Sequence, residues 1–153
     1  MTKSWQRGRP LGWKPADLDP ALPPHVAFAG NQHLVLAAGS RSRLADLAYD
    51  FDALAAVMHQ YGYTTLHLVW RQSQTSFHAR DPFPIGGVVE DPATGAAAAA
   101  FGGYLRELGL VPKATSIVIH QGEDMGRPSE LRVGIDPADP RVRVTGHAVR
   151  IVA

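Results

Sequence analysis

The sequence predicts an α+β fold in which a curled, barrel-like mixed sheet wraps around a central apolar helix. Two observations support this prediction. Residues 95–108 have a helix pattern that is apolar on almost every face, and such a helix has to be buried. Several short segments in the rest of the chain have the alternating or continuous apolar pattern of strands. Many strands and one buried helix favour a sheet that curls around that helix.

The chain divides into an irregular N-terminal arm, residues 1–23, and a single lobe, residues 24–153. Its length of 153 residues is that of one domain with a sizeable core. Prolines interrupt both helices and ladders, and the first two dozen residues contain Pro10, Pro15, Pro20, Pro23 and Pro24. We therefore expect no regular element in the arm, which also has the composition of a loosely ordered terminus.

The first half of the lobe predicts strands and one surface helix. Residues 33–38 form a short apolar strand pattern, and residues 66–70 and 76–80 predict a hairpin around a polar turn. Between them, Asp50 is placed to cap a helix that Gly62 ends. Only one face of this helix is apolar, so we expect it to cover the sheet from outside.

The central helix, residues 95–108, has predicted caps at both ends. We expect the Thr94 hydroxyl to cap its first turn and Gly109 to close its last turn in the left-handed conformation. Gly102 and Gly103 each cost about 1 kcal/mol relative to alanine inside a helix. We therefore expect a strand of the surrounding sheet to pack very close to them.

Strand patterns continue after the helix, at residues 116–121, 131–135, 142–144 and 148–151. The middle ones alternate cleanly between apolar and polar residues, as strands with one buried face do. The pattern leaves open whether residues 142–152 stay with their own sheet or join the sheet of a partner.

Composition excludes several classes of function. The formal charge is +1, from 15 basic and 14 acidic residues, so no nucleic acid and no membrane is expected as a partner. Without cysteine there is no disulfide, thiolate zinc site or cysteine acid–base pair. The seven histidines have no spacing that builds a metal site, and no metal is expected. The chain has no apolar run of membrane-spanning length and no signal peptide pattern, which predicts a cytoplasmic protein.

Residues 90–96, EDPATGA, are the most informative segment. A tight turn that carries Asp91 leads directly into the apolar helix. The helix therefore presents free backbone N–H groups and the positive end of its dipole to whatever the turn encloses. This predicts a cradle for a carboxylate or phosphate with Asp91 beside it. Asp91 has an alternative role, which is to shape the turn and complement the helix dipole.

The same segment resembles the EDPATGSA signature in the second half of PhzF-like phenazine-biosynthesis isomerases. Residues 80–84, RDPFP, followed by Gly86, resemble the R-x-F-x-P-x-x-G run that precedes that signature. Downstream, Gln121-Gly122 and residues 125–129, MGRPS, resemble the family's Q-G…GRPS element. The three matches occur in the order of the family. The resemblance spans residues 24–152 and corresponds to the C-terminal lobe of a two-domain protein.

The resemblance implies one lobe of the diaminopimelate-epimerase-like fold. In that fold the central helices of two lobes point their N-termini at each other across a cleft, and the substrate carboxylate lies between them. The implied activity is isomerisation or epimerisation by acid–base proton transfer on a small carboxylic acid, without a cofactor. One lobe supplies half of this site, so a homodimer or a separately encoded first lobe would have to complete the cleft.

The resemblance also carries residue roles over to this chain. Asp91 matches the aspartate of the signature and is the catalytic candidate, while Thr94, Gly95 and Ala96 are candidates for binding the substrate. The family has a serine at the position of Ala96, so one hydroxyl donor is missing here. The family's acid–base glutamate and its glycine–histidine pair come from the first lobe and have no counterpart in this chain.

These departures leave two functions open. One is an isomerase lobe in which Asp91 or Glu90 of two chains form the acid–base pair. The other is a lobe that binds a small carboxylate without turnover, or a vestigial one. Arg127 and Ser129 are further binding candidates, because the turn that carries them borders the cleft in the family; the alternative is that this turn only connects two strands. Arg80 pairs either with a substrate carboxylate or with Glu90.

Overall fold

The structure is a computed structural model that describes residues 10–152. Its main feature is an eight-stranded mixed sheet. The strands are β1 (His25–Phe28), β2 (Gln32–Ala38), β3 (Thr65–Arg71), β4 (Ser76–Phe83), β5 (Val88–Asp91), β6 (Thr115–Gln121), β7 (Ser129–Asp136) and β8 (Asp139–Thr145). The helices within the described range are α1 (Arg41–Ala45), α2 (Phe51–Tyr61) and α3 (Gly95–Glu107).

The strands follow the order β1-β2-β3-β4-β6-β7-β8, and β5 pairs with the far end of β4. Neighbouring strands are antiparallel except for the parallel pairs β2–β3 and β4–β6. Parallel neighbours need a crossover; α1 and α2 make the first one, and β5 with α3 makes the second. The predicted hairpin is confirmed, since β3 and β4 pair with Leu68 opposite Arg80.

The sheet curls around α3, which confirms the predicted α+β fold. The side of α3 that faces the sheet is buried and consists of Ala97, Ala98, Ala100, Phe101, Gly102, Tyr104 and Leu105. These residues form one core with the inward-facing side chains of the strands, such as Val35, Phe77, Ile117 and Val133. Gly109 has a φ of +71°, so the predicted left-handed end of this helix is also confirmed.

One of the two helix glycines has the close neighbours that the sequence predicts. A Cβ on Gly102 would lie 3.0 Å from Val133 and Val142 and 3.3 Å from Ile135. Gly102 therefore lets β7 and β8 approach the helix. The prediction is wrong for Gly103, where a Cβ would meet only the end of the Arg106 side chain, at 3.9 Å. That residue faces away from the sheet.

The second core lies on the outer side of the sheet, under α2. Asp50 caps this helix by accepting a hydrogen bond from the Ala53 amide at 2.9 Å, and Gly62 ends it with a φ of +70°, as predicted. Leu54 and Met58 pack from the helix against the outward-facing Leu66 of β3. The sheet is thus covered on both faces along β2 and β3.

The described part of the arm, residues 10–23, packs against the lobe. It contains a single 3₁₀ turn, Pro15–Asp17, and no strand. Leu11 and Trp13 are buried in the outer core, and Leu22 is buried in the core around α3. Residues 1–9 of the predicted arm lie outside the described residues.

The predicted strand at residues 148–151 is absent. β8 ends at Thr145, and the segment from 146 to 152 has no regular structure. Val149 and Ile151 are 91% and 92% exposed. A segment forms a strand only when it pairs with the edge of a sheet, and this segment leaves the sheet without pairing with another strand.

Several features meet at the end of the sheet from which α3 begins, which we call the open end. β4 and β6 end there, at Asp81 to Phe83 and at Gln121, and β7 begins there at Ser129. β8 also ends there, opposite Arg132, so that residues 146–152 leave from the same place. Among residues 10–152, no helix has the length and apolar character needed to cross a membrane.

Candidate active site

A buried glutamine holds the turn that precedes α3. Gln121, fully buried at the end of β6, donates from Nε2 to the Asp91 carbonyl at 2.9 Å and to Thr94 Oγ1 at 3.0 Å. Its Oε1 accepts from the Thr94 amide at 3.2 Å. One side chain thus fixes both ends of the turn. A buried amide with these bonds is costly to remove, because each lost partner leaves a buried polar group unpaired.

Thr94 does not cap the helix as predicted. Its hydroxyl donates to Asp91 Oδ2 at 2.7 Å and makes no bond to the helix amides. A capping hydroxyl accepts from a helix amide, whereas here the Thr94 oxygen accepts from Gln121 Nε2 and its proton goes to the Asp91 carboxyl. Thr94 therefore positions the Asp91 carboxylate.

The first turn of α3 keeps free backbone donors. The first intrahelical bond runs from the Ala98 amide to the Thr94 carbonyl, at 3.0 Å. Within residues 10–152, the amides of Gly95, Ala96 and Ala97 have no acceptor. Gly95 is exposed, and a Cβ there would meet nothing within 4 Å. The helix thus presents open amides and the positive end of its dipole beside Asp91, as an anion-binding site requires.

The turn that carries Arg127 and Ser129 packs against the Asp91 turn. Gly122 makes this approach possible, because a Cβ there would lie 2.9 Å from the Pro92 carbonyl oxygen. The Ser129 hydroxyl lies 2.9 Å from the Pro92 carbonyl oxygen and 3.2 Å from that of Gln121, and its one proton serves either. Two of the sequence motifs are thereby brought together, and Ser129 holds the backbone between them.

Arg127 is exposed and lines an open pocket of about 600 Å³ beside this turn. Ser129, Pro92 and Ala93 also line the pocket, as do His147 and Val149 of the segment after β8. Asp91 does not line it. The open amides therefore belong to an exposed surface of the lobe, and the pocket lies next to that surface.

Glu90 is engaged elsewhere. Arg80 donates to both of its carboxylate oxygens, at 3.0 and 2.7 Å, and to the Ala45 carbonyl at 2.8 Å. The Glu90 side chain is almost fully buried by this contact. The hydrogen bond to Glu90 is the largest cause that raises the pKa of Arg80. Of the two roles expected for Arg80, the structure shows the pairing with Glu90, which also removes Glu90 as a second acid–base group.

Two site residues were not predicted from the sequence. His67 and Asp81 are fully buried against α3, and His67 Nδ1 lies 2.7 Å from Asp81 Oδ1. Burial raises the pKa of the Asp81 carboxyl; His67 and the Thr94 hydroxyl lower it, and the Asp91 charge raises it further. The signal was present, because Asp81 follows the inward-facing Phe77 and Ala79 at a spacing of two.

A second buried histidine lies behind this pair. His33 of β2 places Nδ1 2.9 Å from the Thr65 hydroxyl. Burial, together with the charge of His67, lowers the pKa of His33 to about 4, so that this ring is neutral near neutral pH. The Nε2 atoms of both histidines are buried without a partner among the described residues. Buried polar groups without a partner are rare in apolar cores, so each of these two atoms calls for an explanation.

A curled sheet around an apolar helix, with open helix amides beside a carboxylate, defines one lobe of the diaminopimelate-epimerase-like fold. The sequence model of the family described as Phenazine biosynthesis-like protein matches residues 8–153. The chain therefore belongs to this family, as the three motifs predict.

Solved structures agree with this assignment. The structure of a predicted epimerase from Pseudomonas aeruginosa is 30% identical and superimposes with a TM-score of 0.75 over 94% of this chain and 48% of the other. A phenazine biosynthesis protein of the PhzF family from Bacillus anthracis superimposes with a TM-score of 0.72 at 17% identity, covering 93% of this chain and 50% of the other. The second likeness supports the fold alone.

Curated relatives include uncharacterized isomerases from Mesorhizobium japonicum and Deinococcus radiodurans. The first is 32% identical over 123 residues, which are 76% of this chain and 40% of the relative. The second is 29% identical over 145 residues, which are 92% of this chain and 47% of the relative. The chain thus spans about half the length of the relatives that it matches.

Proposed function

We propose that this chain is an isomerase or epimerase lobe that transfers a proton at the carbon next to a carboxylate, without a cofactor. The observation that supports this most is the placement of Asp91 beside the free amides of Gly95 and Ala96, with Thr94 holding its carboxylate at 2.7 Å. A substrate carboxylate on the amides would bring its neighbouring carbon toward Asp91. Asp91 would then be the base that removes the proton.

The helix end suits the charge that this reaction develops. When the proton leaves, negative charge spreads from the carbon onto the substrate carboxylate. Fixed N–H donors and the positive end of a helix stabilise such charge without having to reorganise. Gly95 leaves the amides open to the ligand, since no side chain stands over them.

We propose that a second chain completes the cleft, either another copy of this chain or a separately encoded first lobe. The first helix amides are exposed in the single lobe, and exposed apolar side chains lie on strands and segments that reach the open end. These are Phe28 at the end of β1, Val88 and Val89 of β5, and Val149, Ile151 and Val152 after β8. An exposed apolar group of this kind favours an interface with another protein surface.

The alternative function is carboxylate binding without turnover. Ala96 favours it, because the family's hydroxyl donor is missing there and one lost donor costs about two to three orders of magnitude in rate. The burial of Glu90 also favours it, since Glu90 is then unable to serve as the second acid–base group. Both functions require the same carboxylate site.

An NMR titration with sodium acetate tests that site. We expect the amide signals of Gly95 and Ala96 to shift on addition of acetate, because the carboxylate accepts their hydrogen bonds. Acetamide, which has the same shape and no charge, is the control and should leave these signals in place. The proposal is wrong if acetate moves only signals outside this turn, or if acetamide has the same effect.

A further inference from the structure

The curled sheet is open between its two outermost strands, β1 and β8. They stand at the two ends of the strand order, and within residues 10–152 no pairing joins them. The inward side chains of β8, Val142 and Val144, are only partly buried, whereas Val133 and Ile135 of the neighbouring β7 are buried. The core around α3 is therefore uncovered along the free edge of β8.

Part of α3 lies open in this gap. Gly102 faces β7 and β8, and the Tyr104 ring packs on another side of the helix against His25 of β1, at 5.5 Å between ring centroids. Gly103 lies between these two positions, and Ala99 lies about one turn before it on the same side. Both are half-buried, and a Cβ on Gly103 would meet only the end of one helix side chain, at 3.9 Å. We call Ala99, Gly103 and the free edge of β8 the seam.

The segment after β8, residues 146–152, has the pattern of a strand that would cover such a seam, and we call it the tail. Val149 and Ile151 alternate with Ala148 and Arg150, so the extended tail has one apolar face. In the single lobe this face is almost fully exposed. Branched side chains need room where they pack, and the small residues of the seam provide it.

The tail of a lobe does not lie on the seam of the same lobe. Its residues His147 and Val149 line the pocket of about 600 Å³ together with Ser129 and Leu131 of β7. β7 pairs with one edge of β8, and the seam lies along the other edge. The tail is therefore directed to the side of β8 that is already paired, and the seam is left for another chain.

The direction of the strands suits a tail that enters from the open end. β1 and β8 both run toward the open end, so a strand that enters there lies antiparallel to β8 and needs no crossover connection. The tail leaves its own lobe at the open end. Its seven residues span about 23 Å when extended, which matches β8, also seven residues long.

We propose that the tail of one copy forms a strand along the free edge of β8 in a second copy, with Val149 and Ile151 on the seam. The exchange is mutual, as the two-fold symmetry of a homodimer requires, so both seams are covered and neither apolar tail is left exposed. This inference rests on the proposed function, which has a second chain at the open end, and it identifies that chain as another copy of this one.

The mass of the full chain in solution tests the exchange. We expect light scattering to give twice the chain mass of 16.5 kDa. Val149→Asp combined with Ile151→Asp should raise the dimer dissociation constant at least about a hundredfold, because it puts charges on the apolar face. Arg150→Asp, on the other face of the same tail, is the matched control and should leave the dimer intact. Both variants should fold, since the tail has no regular structure in the single lobe.

Cross-linking tests the contact itself, on a chain that contains no cysteine. A disulfide requires Cβ atoms about 4 Å apart. Chains with Ala99→Cys mixed with chains with Ile151→Cys should therefore form a mixed disulfide, identified by its mass. Arg150→Cys in place of Ile151→Cys should form far less of it.

Three outcomes would overturn the inference. They are a wild type that is monomeric at every concentration, a dimer that survives both substitutions of the apolar face, and equal cross-linking from Arg150→Cys and Ile151→Cys. A chain that carries both Ala99→Cys and Ile151→Cys and closes its disulfide within a monomer would show that the tail folds back on its own lobe, which also overturns it. Acetate binding is measured on the amides of a single lobe, so a monomer that binds acetate refutes the exchange and leaves the carboxylate site standing.

Discussion

At the scale of single residues, the site is defined by what Thr94 and Gln121 bind. The sequence predicts Thr94 as a helix cap, and in the structure its hydroxyl goes to Asp91 instead. The helix amides are left without a side-chain acceptor as a result. The departure from capping is therefore what keeps the anion site available for a ligand.

The missing hydroxyl at Ala96 gives a direct prediction. Ala96→Ser restores a donor at the first turn of α3 and should strengthen acetate binding about tenfold, the effect of one hydrogen bond to a charged group. Titration of the backbone amides measures the affinity. Ala99→Ser, one turn further along the same helix, is the control. Equal effects of the two serines would show that the gain does not come from contact with the ligand.

The buried His33 gives a prediction about pH. Its pKa is lowered to about 4 in the fold and lies near 6.5 in the unfolded chain, so the unfolded state binds the extra proton between these values. The free energy of unfolding should therefore fall as the pH drops from 6.5 to 4, by up to about 3 kcal/mol from this group. Asp81, with its pKa raised, acts in the opposite sense in part of this range.

Urea unfolding of the wild type and His33→Gln at pH 4 to 7 separates the two groups. The difference in unfolding free energy between the chains should change over this range, because only the wild type carries the buried imidazole. A difference that is the same at every pH would contradict a neutral, buried His33.

At the scale of elements, α3 connects packing to the site, since the helix that presents the amides also fills the curl of the sheet.

Gly102→Ala should lower the free energy of unfolding by about 1–3 kcal/mol, because its Cβ would press on branched side chains of two strands. Gly103→Ala should raise it by about 0.5–1 kcal/mol, because its Cβ has room and alanine favours the helix. Urea unfolding measures both. Stabilisation by both substitutions would contradict the close packing at Gly102.

Local signals predicted the elements that they control. Asp50 and Gly62 set the ends of α2, and the polar turn between two strand segments set the β3–β4 hairpin. Local signals did not predict which distant strands pair. The parallel contact of β2 with β3, for example, depends on a crossover through two helices. The strand pattern at residues 148–151 does not become a strand in the single lobe. The pattern describes the segment alone and does not show whether the sheet offers it a strand to pair with.

The candidate site was predictable to the extent that it lies in one turn. Asp91, Gly95 and Ala96 are consecutive with the helix start, so their arrangement follows from the helix itself. Asp81 and His67 reach the site from other strands, and the register that brings Asp81 opposite Asp91 is not visible in the sequence. Charged residues in an inward-facing position of a strand were the available signal.

At the scale of the whole molecule, the lobe presents the candidate site on an open surface. It belongs to the phenazine biosynthesis-like family and spans about half the length of its relatives. The exposed apolar residues at the open end lie on the side where the helix amides face solvent. A second lobe placed there would cover these residues and exclude water from the site, which strengthens each electrostatic contact within it.

The central claim is acid–base catalysis by Asp91 next to a bound carboxylate. Deuterium incorporation in D₂O, followed by proton NMR over a panel of amino, hydroxy and cyclic carboxylic acids, tests it most directly. We expect the wild type to exchange the proton beside the carboxylate of at least one acid, at a rate per chain that rises with protein concentration if a second copy completes the cleft. Asp91→Asn should abolish this exchange, and Asp52→Asn should preserve it. Exchange that survives in Asp91→Asn would contradict the claim. A panel with no exchange at any protein concentration would contradict catalysis by copies of this chain alone.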